Sequence, residues 1–175
     1  MAFILKIKDL PEDVSRQEFV SSPGELSLDY EGVEVIGDVR AYGNVTKSND
    51  QVIFRGEFVA PVRMTCSRCA EEFERNLRSE LVFVLTLVPE KDYQELEEEA
   101  SEDFYFIPEG TQEFDFSGHI REQLIVALEM KPLCREECRG ICPDCGKNLN
   151  NEECICSEKK IDERWLPLRD LLDRS

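Results

Sequence analysis

The feature that most constrains this chain is a set of eight cysteines that occur only as close pairs. Two of the pairs have the spacing Cys-x-x-Cys, with which a tight turn aims both sulfurs at one point. A fold that uses all eight cysteines must therefore bring these pairs together in space. The pairs are Cys66/Cys69, Cys134/Cys138, Cys142/Cys145 and Cys154/Cys156.

Four thiolates in tetrahedral geometry are the ligands of a structural Zn²⁺ site, and two cysteine pairs supply one such set. Four pairs with no cysteine left over predict two Zn²⁺ ions per chain, with all eight cysteines as metal ligands. Disulfides are disfavoured because a chain of 175 residues with an ordinary apolar fraction can form a core without them. An iron–sulfur cluster uses the same ligands and is the alternative that ligand identity leaves open.

Chain separation favours one grouping of the pairs. The last two pairs are separated by eight residues, so joining them around one metal costs little loop-closure entropy. The first two pairs would then share the other metal across the 64 residues between Cys69 and Cys134. In the competing grouping, the two Cys-x-x-Cys pairs share one metal, and the pairs that begin at Cys134 and Cys154 share the other.

The alternation of apolar and polar residues predicts an α+β fold that is mainly antiparallel β, arranged as a meander or a small barrel. Residues 11–30 carry turn residues and little periodicity. The turn between the second and third predicted strands is Gly43-Asn44 or Ser48-Asn49-Asp50. Strands are predicted in residues 3–8 and 32–45, from residue 52 onward, and in the apolar run 81–88.

One helix is predicted over residues 115–131, with Asp115 or Ser117 as its cap and Pro132 at its end. We expect it to pack on the sheet, because four apolar residues recur at helical spacing. They are Ile120, Leu124, Ile125 and Leu128.

The stretch 90–103 is predicted to be a mobile acidic loop, because eight carboxylates and one lysine leave little apolar surface to bury. Residues 1–133 are therefore expected to form a β-rich body that includes this loop and the helix. Residues 134–175 are expected to form a cysteine-rich, zinc-binding tail that closes with a helix. In that last segment, Trp165, Leu168 and Leu172 are expected to pack on the body or, in the alternative, to dock into a partner.

The formal net charge of −17 is concentrated in the middle of the chain. Residues 81–130 hold thirteen acidic side chains against two basic ones, whereas residues 51–80 hold five of each. Such a chain repels bare phosphate backbones, so a basic protein is the easier electrostatic match. The alternative is nucleic-acid binding through a local basic face around the first Cys-x-x-Cys, formed by Arg63, Arg68, Arg75 and Arg78.

The sequence predicts neither a catalytic site nor a membrane span. Its one histidine, His119, is expected at the surface or at the edge of the core, and no phosphate-binding loop or nucleophile motif occurs. With every thiol on a metal, no free nucleophile is left. Because no run of 18 apolar residues and no signal-peptide pattern occurs, we expect a cytoplasmic, non-enzymatic protein.

Three cysteine-containing segments and the C-terminal end carry a resemblance to a known family. They are Thr65-Cys66-Ser67-Arg68-Cys69, residues 139–150 (RGICPDCGKNLN), Cys154-Ile155-Cys156 and residues 163–168 (ERWLPL). These segments resemble the YceD family, also called the large ribosomal RNA subunit accumulation protein family. The helix from Asp115 to Pro132 is also similar to the family's segment, so the resemblance spans most of the chain.

The resemblance implies a role in accumulation or processing of large-subunit ribosomal RNA, without an enzymatic activity. The family's bacterial genes are often associated with a gene for a large-subunit ribosomal protein. With the net charge of −17, the expected partner is therefore a basic ribosomal protein or a pre-ribosomal particle. Direct contact of rRNA with the four arginines named above is the alternative. A different class of function, a zinc- or redox-responsive regulator whose cysteines release metal on oxidation, fits the same cysteines.

Overall fold

The computed structural model describes residues 3–26, 32–97 and 103–156. Within these ranges the chain forms eight strands and three helices, and none of these helices is long and apolar enough to cross a membrane. A 3₁₀ turn, Ile7–Asp9, follows the first strand. The strands are β1 (Ile4–Lys6), β2 (Val14–Ser21), β3 (Val33–Val35), β4 (Val39–Ser48), β5 (Gln51–Thr65), β6 (Glu72–Val88), β7 (Phe104–Pro108) and β8 (Glu113–Asp115), and the helices are α1 (Pro23–Leu26), α2 (Glu90–Glu97) and α3 (Ser117–Val126).

Six strands form the main sheet, in the order β2-β4-β5-β6-β7 with β3 beside β5. Its centre is the hairpin of β5 and β6, which pair over fifteen positions from Gln51↔Thr86 to Thr65↔Glu72. The predicted antiparallel meander is confirmed for β4, β5 and β6, and β2 is also antiparallel to β4. The predicted small barrel is wrong, because the sheet is open and ends at β7, which lies parallel to β6.

A two-residue turn at Asn49-Asp50 joins β4 to β5, since Ser48 pairs with Gln51. Asn49 has a φ of 45°, in the left-handed region that such a hairpin turn needs and that asparagine tolerates. The second of the two predicted turn positions is therefore the one that is used.

The other predicted turn, Gly43-Asn44, lies inside β4 instead. Gly43 pairs there with Gly56 of β5, and the two backbones approach closely. A Cβ atom on Gly43 would lie 2.6 Å from the Cα of Gly56 and 2.4 Å from the carbonyl oxygen of Arg55. This glycine pair thus marks a close approach of two strands rather than a turn.

The core lies on one face of the main sheet. Phe54 and Phe83 stack there with ring centroids 5.2 Å apart, and Phe116 tilts against both of them. α3 packs on this face with Ile120 and Leu124 fully buried, so the predicted helix–sheet contact is confirmed. The two-stranded sheet of β1 and β8 adds further residues to the same core.

The predicted helix is shorter than expected, because α3 ends at Val126 rather than near Pro132. Asp115 orders its first turn, since the Asp115 Oδ1 accepts a hydrogen bond from the Ser117 N–H at 2.9 Å. Downstream, the carbonyl of Pro132 accepts a hydrogen bond from the Ser67 N–H at 2.8 Å. This segment is therefore held at the β5–β6 turn and leaves the helical path before the proline.

The predicted mobile loop over residues 90–103 is wrong for its first half, where α2 forms. Glu90 and Asp92 lie in the first turn of α2, where the positive end of the helix dipole favours carboxylates. Residues 98–102 lie outside the described residues, as does the predicted closing helix with Trp165. The chain re-enters the sheet at Asp103, whose carbonyl accepts a hydrogen bond from the Val84 N–H at 2.8 Å.

His119 lies deeper than expected, since only 3% of it is exposed. Its Nδ1 is hydrogen-bonded to the Tyr105 hydroxyl at 2.9 Å, and its ring meets Phe83 edge-on. The histidine is thus part of the aromatic core beneath α3.

Candidate metal centres

The first Cys-x-x-Cys forms the turn between the two longest strands. The Cys66 N–H donates to the carbonyl of Glu71 at 2.9 Å, and the Ala70 N–H donates to the carbonyl of Cys66 at 2.9 Å. Ala70 has a φ of 56°, a left-handed conformation that is unusual for alanine. The β5–β6 ladder thereby places the sulfurs of Cys66 and Cys69 side by side at one end of the sheet.

The second Cys-x-x-Cys repeats the same backbone geometry outside the sheet. The Cys142 N–H donates to the carbonyl of Lys147 at 2.8 Å, and the Gly146 N–H donates to the carbonyl of Cys142 at 2.9 Å. Gly146 has a φ of 72°, at the position that Ala70 occupies in the first turn. Both turns are therefore knuckles of one type, and Gly146 is the sequence signal for it.

The structure brings the eight cysteines together in two groups of four. In each group, the four sulfurs lie within 4.8 Å of one another. This is the grouping that chain separation favours, and the two Cys-x-x-Cys pairs do not share a site. We call the groups cluster 1 (Cys66, Cys69, Cys134, Cys138) and cluster 2 (Cys142, Cys145, Cys154, Cys156).

The sulfur spacing fits a single tetrahedral ion in each cluster. With metal–sulfur bonds of about 2.3 Å, the edges of such a tetrahedron are about 3.8 Å long. A disulfide would need a separation of about 2.05 Å, and all eight cysteines are free. The sulfur–sulfur distances are 3.8 Å for Cys66–Cys138, 3.7 Å for Cys69–Cys134, 3.7 Å for Cys145–Cys154 and 3.4 Å for Cys142–Cys154.

The leading cysteine of each knuckle has a lowered pKa. Burial alone raises the pKa of the Cys66 thiol, but backbone hydrogen bonds from Cys134, Cys69 and Arg68 outweigh it and lower that pKa to about 6. Backbone hydrogen bonds from Cys145 and Asp144 lower the pKa of the Cys142 thiol to about 7. Each cluster therefore holds a thiol that ionises near neutral pH, and the thiolate is the form that binds metal.

Cys156 and Cys69 show the opposite effect, because other sulfurs crowd around them. Cys145 and Cys154 raise the pKa of the Cys156 thiol to about 12, because neighbouring sulfurs compete for negative charge. For Cys69, a backbone hydrogen bond from Glu71 lowers the pKa, but burial and the surrounding sulfurs raise it to about 12. Four thiolates at this spacing repel one another, so a bound dication is what would allow all four to ionise.

The segment that carries cluster 2 is fastened to the knuckle of cluster 1. The Ile141 N–H donates to the carbonyl of Arg68 at 3.1 Å. Beside it, Gly140 has a φ of 73°, and a Cβ atom there would lie 2.9 Å from the same carbonyl oxygen. Glycine at position 140 therefore lets the two knuckles lie against each other.

Asn150 links the clusters more directly. It lies in the loop between Cys145 and Cys154, yet its Nδ2 donates to the sulfur of Cys138 in cluster 1 at 3.3 Å. This hydrogen bond lowers the pKa of the Cys138 thiol, with burial opposing it. Its Oδ1 accepts the Arg139 N–H at 2.9 Å, which fixes the orientation of the amide. Asn150 is thus a positioning residue for cluster 1 that sequence spacing does not reveal.

Contacts within the protein occupy most of the four arginines that were predicted as a local basic face. Three are engaged within the protein, and of the four only Arg78 has neither an ion pair nor a side-chain hydrogen bond among the described residues. The engaged ones are Arg63, with Glu34 at 2.9 Å and Glu74 at 3.0 Å, Arg75, with Glu129 at 2.7 Å, and Arg68, which donates to the carbonyls of Glu136 and Cys138 at 3.2 and 3.1 Å.

The fold and the clusters together define a class of protein: an open, mostly antiparallel sheet whose longest hairpin ends in one of two tetracysteine centres. The chain belongs to the YceD family, since residues 54–172 match the family described as "Large ribosomal RNA subunit accumulation protein YceD". The matched range includes all eight cysteines, and the resemblance predicted from the sequence is confirmed.

Curated relatives support the same assignment. The chain is 26% identical over 174 residues to "Large ribosomal RNA subunit accumulation protein YCED homolog 1, chloroplastic" of Arabidopsis thaliana, covering 82% of this chain and 54% of that protein. The Zea mays protein of the same name is 23% identical over 158 residues, covering 77% and 54%. An uncharacterized protein of Mycobacterium tuberculosis is 26% identical over 153 residues, covering 87% and 71%. The chain spans about half the length of the two plant relatives, and no solved structure matches it significantly.

Cys66→Ser is expected to destabilise the sheet, whereas Cys142→Ser is expected to disturb mainly the segment after residue 138. Cluster 1 joins the β5–β6 turn to the segment after α3, but the ligands of cluster 2 all lie within residues 142–156. A loss of about 3 kcal/mol would lower the melting temperature of a chain of this size by about 10 °C. Thermal unfolding followed by circular dichroism, with segment-resolved hydrogen exchange, measures both effects. Equal melting shifts for the two variants would contradict this division of roles.

Asn150→Ala is expected to weaken metal binding at cluster 1 by roughly 10- to 100-fold, the usual cost of losing an outer hydrogen bond to a ligand. Asn151→Ala is the matched control, because the neighbouring amide donates only to the exposed Glu71 carboxylate, at 3.1 Å. Chelator competition measures the affinity, and the step that Cys66→Ser removes identifies cluster 1. Equal affinities for the two asparagine variants would show that the Asn150–Cys138 contact does not support the site.

Proposed function

We propose that this chain is a non-enzymatic factor that supports the accumulation of large-subunit ribosomal RNA, acting through contacts with proteins or ribonucleoprotein. The observation that carries the proposal is the family match over residues 54–172, which includes every cysteine of both clusters. The names of the two plant relatives point the same way. The chain spans about half the length of those relatives, so their names alone do not fix its partner or the step of assembly in which it acts.

We assign zinc to both clusters. Ligand sets made only of thiolates with tetrahedral spacing are typical of structural zinc, and each set leaves no open position for a substrate. When bound, the ion would supply a cross-link between chain segments rather than a reactive centre. All eight cysteines are free, and we place the protein in the reducing cytoplasm, where thiols stay available for metal.

Purified protein is expected to carry close to two Zn²⁺ per chain, one for each cluster. Elemental analysis of protein prepared without added metal measures this, and a strong chelator should then loosen the segment that carries the cysteines. Iron in place of zinc, with a visible absorption band, would contradict the assignment. So would a stoichiometry near one in the intact protein.

A basic ribosomal protein, or the pre-ribosomal particle that contains it, is the partner that the charge favours. The net charge of −17 is large, and the exposed Glu90 and Glu95 of α2 add to the acidic middle of the chain. Exposed carboxylates of this kind act mainly by speeding encounter with a basic surface, and salt screens that attraction. We therefore expect association with precursor particles that weakens between low and physiological salt.

The test is to deplete the protein from its cells and measure both ribosomal RNAs. Large-subunit rRNA should fall relative to small-subunit rRNA, and re-expression of the chain should restore it. In the restored cells, the chain should sediment with large-subunit precursors at low salt and leave them as salt rises. An unchanged rRNA ratio after depletion would overturn the proposed function.

The exposure of cluster 2 favours a second candidate function, a redox-responsive regulator. Cys145 and Cys156 are exposed, whereas Cys66, Cys69 and Cys138 of cluster 1 are buried. An oxidant would therefore reach cluster 2 first. Release of one metal under mild peroxide, together with loss of partner binding, would favour the regulator, and retention of both metals would favour the assembly factor.

A further inference from the structure

Four exposed arginines lie on the face of the main sheet that points away from the core, which we call the outer face. Strand register places them in two rows, four residues apart along the strands. None of the four has a carboxylate partner within 4.0 Å among the described residues. One row holds Arg16, Asn44 and Arg55, and the other holds Arg40, Val59 and Arg78.

Between the arginine rows lies a row of acidic residues around one tyrosine. The Tyr42 hydroxyl donates to the Glu57 Oε1 at 2.6 Å. Glu57 and Glu80 are direct cross-strand partners, and like charges in that position destabilise a sheet. Neither carboxylate has a cation within 4.0 Å among the described residues. A conflict of this kind on an exposed face indicates that the residues serve a ligand rather than the fold.

The first arginine row and the acidic row surround an open hollow of about 810 Å³. Its floor is the backbone of Gly43 and Gly56, the pair whose close approach excludes any side chain at either position. Its walls are Arg16, Arg55 and Asn44 on one side and Tyr42, Glu57 and Glu80 on the other. The hollow thus offers cations and acceptor oxygens next to each other, around one aromatic ring.

We propose that the outer face binds single-stranded RNA, with Arg16, Arg40, Arg55 and Arg78 on phosphates and Tyr42 stacked on a base in the hollow. This inference rests on the proposed function and names the surface through which it would reach RNA. One guanidinium group can donate two parallel hydrogen bonds to the oxygens of a phosphate, and unstacked bases stack on aromatic rings.

The carboxylates distinguish RNA from the other ligands that arginines attract. Glu57 and Glu80 can accept hydrogen bonds from the amino groups of bases, as acidic side chains do from cytosine. An acidic peptide would instead place its own carboxylates beside Glu57 and Glu80, and the repulsion between them would lower its affinity. Duplex RNA keeps its bases paired and stacked, so it has no base to offer the hollow.

The test compares the protein with a variant in which Arg16, Arg40, Arg55 and Arg78 are all changed to Gln. The matched control changes four exposed cations elsewhere, Lys6, Lys8, Lys91 and Arg121, to Gln and removes the same charge. The probe is a labelled single-stranded RNA of about 12 nucleotides, within the site sizes known for such surfaces, and binding is followed by fluorescence anisotropy.

Four phosphate contacts predict that log affinity falls with log salt with a slope of about −2.8, or roughly 50-fold between about 50 and 200 mM. The outer-face variant should lose at least about tenfold in affinity at low salt, and its slope should approach zero. The control should keep both the affinity and most of the slope. Equal losses in the two variants, or equal binding of a duplex of the same length, would overturn the proposal.

Tyr42 separates base stacking from simple charge attraction. Tyr42→Ala should weaken binding by roughly five- to hundredfold, whereas Tyr42→Phe should retain most of it, because the ring provides the stacking surface. An unchanged RNA affinity of the Tyr42→Ala variant would show that no base stacks on this ring, and it would contradict the proposed mode of RNA binding.

Cell experiments separate this inference from the function on which it rests. If depletion lowers large-subunit rRNA and the outer-face variant restores it fully although it no longer binds RNA, the function stands but does not act through RNA binding at the outer face. If the isolated protein binds the probe as described but depletion leaves rRNA unchanged, the proposed function fails and the RNA surface remains.

Discussion

Cluster 1 is the constraint on which the rest of the structure depends. Its sulfurs come from the β5–β6 turn and from the segment after α3, and Cys69 and Cys134 are 65 residues apart along the chain. The entropy of closing a loop grows only slowly with its length, whereas structural zinc contributes roughly 10–16 kcal/mol in small zinc-binding peptides. Phe73 and Leu133 pack around the buried sulfurs and keep water from them. A metal ion bound at cluster 1 would therefore hold the chain after α3 against the sheet.

Cluster 2 depends on cluster 1 and supports it in return. Its segment is fastened to the first knuckle by the Ile141–Arg68 hydrogen bond, which needs glycine at position 140. In the other direction, Asn150 donates to the Cys138 sulfur from the loop that cluster 2 closes. A metal that orders this loop also orients the Asn150 amide. We therefore expect filling of one cluster to raise the metal affinity of the other, although the two share no ligand.

Short sequence patterns predicted the structural features that form within one segment. They missed the features that depend on contacts between distant segments. Cysteine spacing indicated both clusters because each knuckle is a short turn. Alternation indicated β4 and the start of β5 because their inner residues are buried, and a continuous apolar run indicated the second half of β6. β2 was missed because it is an edge strand in which only Ser21 is fully buried. The parallel pairing of β7 with β6, and the ion pairs that occupy Arg63, follow from register between segments. No pattern within either segment contains that information.

Register also explains how so acidic a chain keeps two rows of arginines on its outer face. The carboxylates of α2 lie where the chain passes from the end of β6 to β7, whose first residue, Phe104, pairs with Val84. Arg78 is six residues away from Val84 along β6, or roughly 20 Å at about 3.3 Å per residue. Charges in physiological salt are largely screened beyond about 8 Å, so α2 acts on approaching partners far more than on the Arg40–Arg78 row. Net charge therefore governs the long-range electrostatic attraction between this protein and a partner. Strand register determines which charged side chains the outer face presents once the partner is in contact.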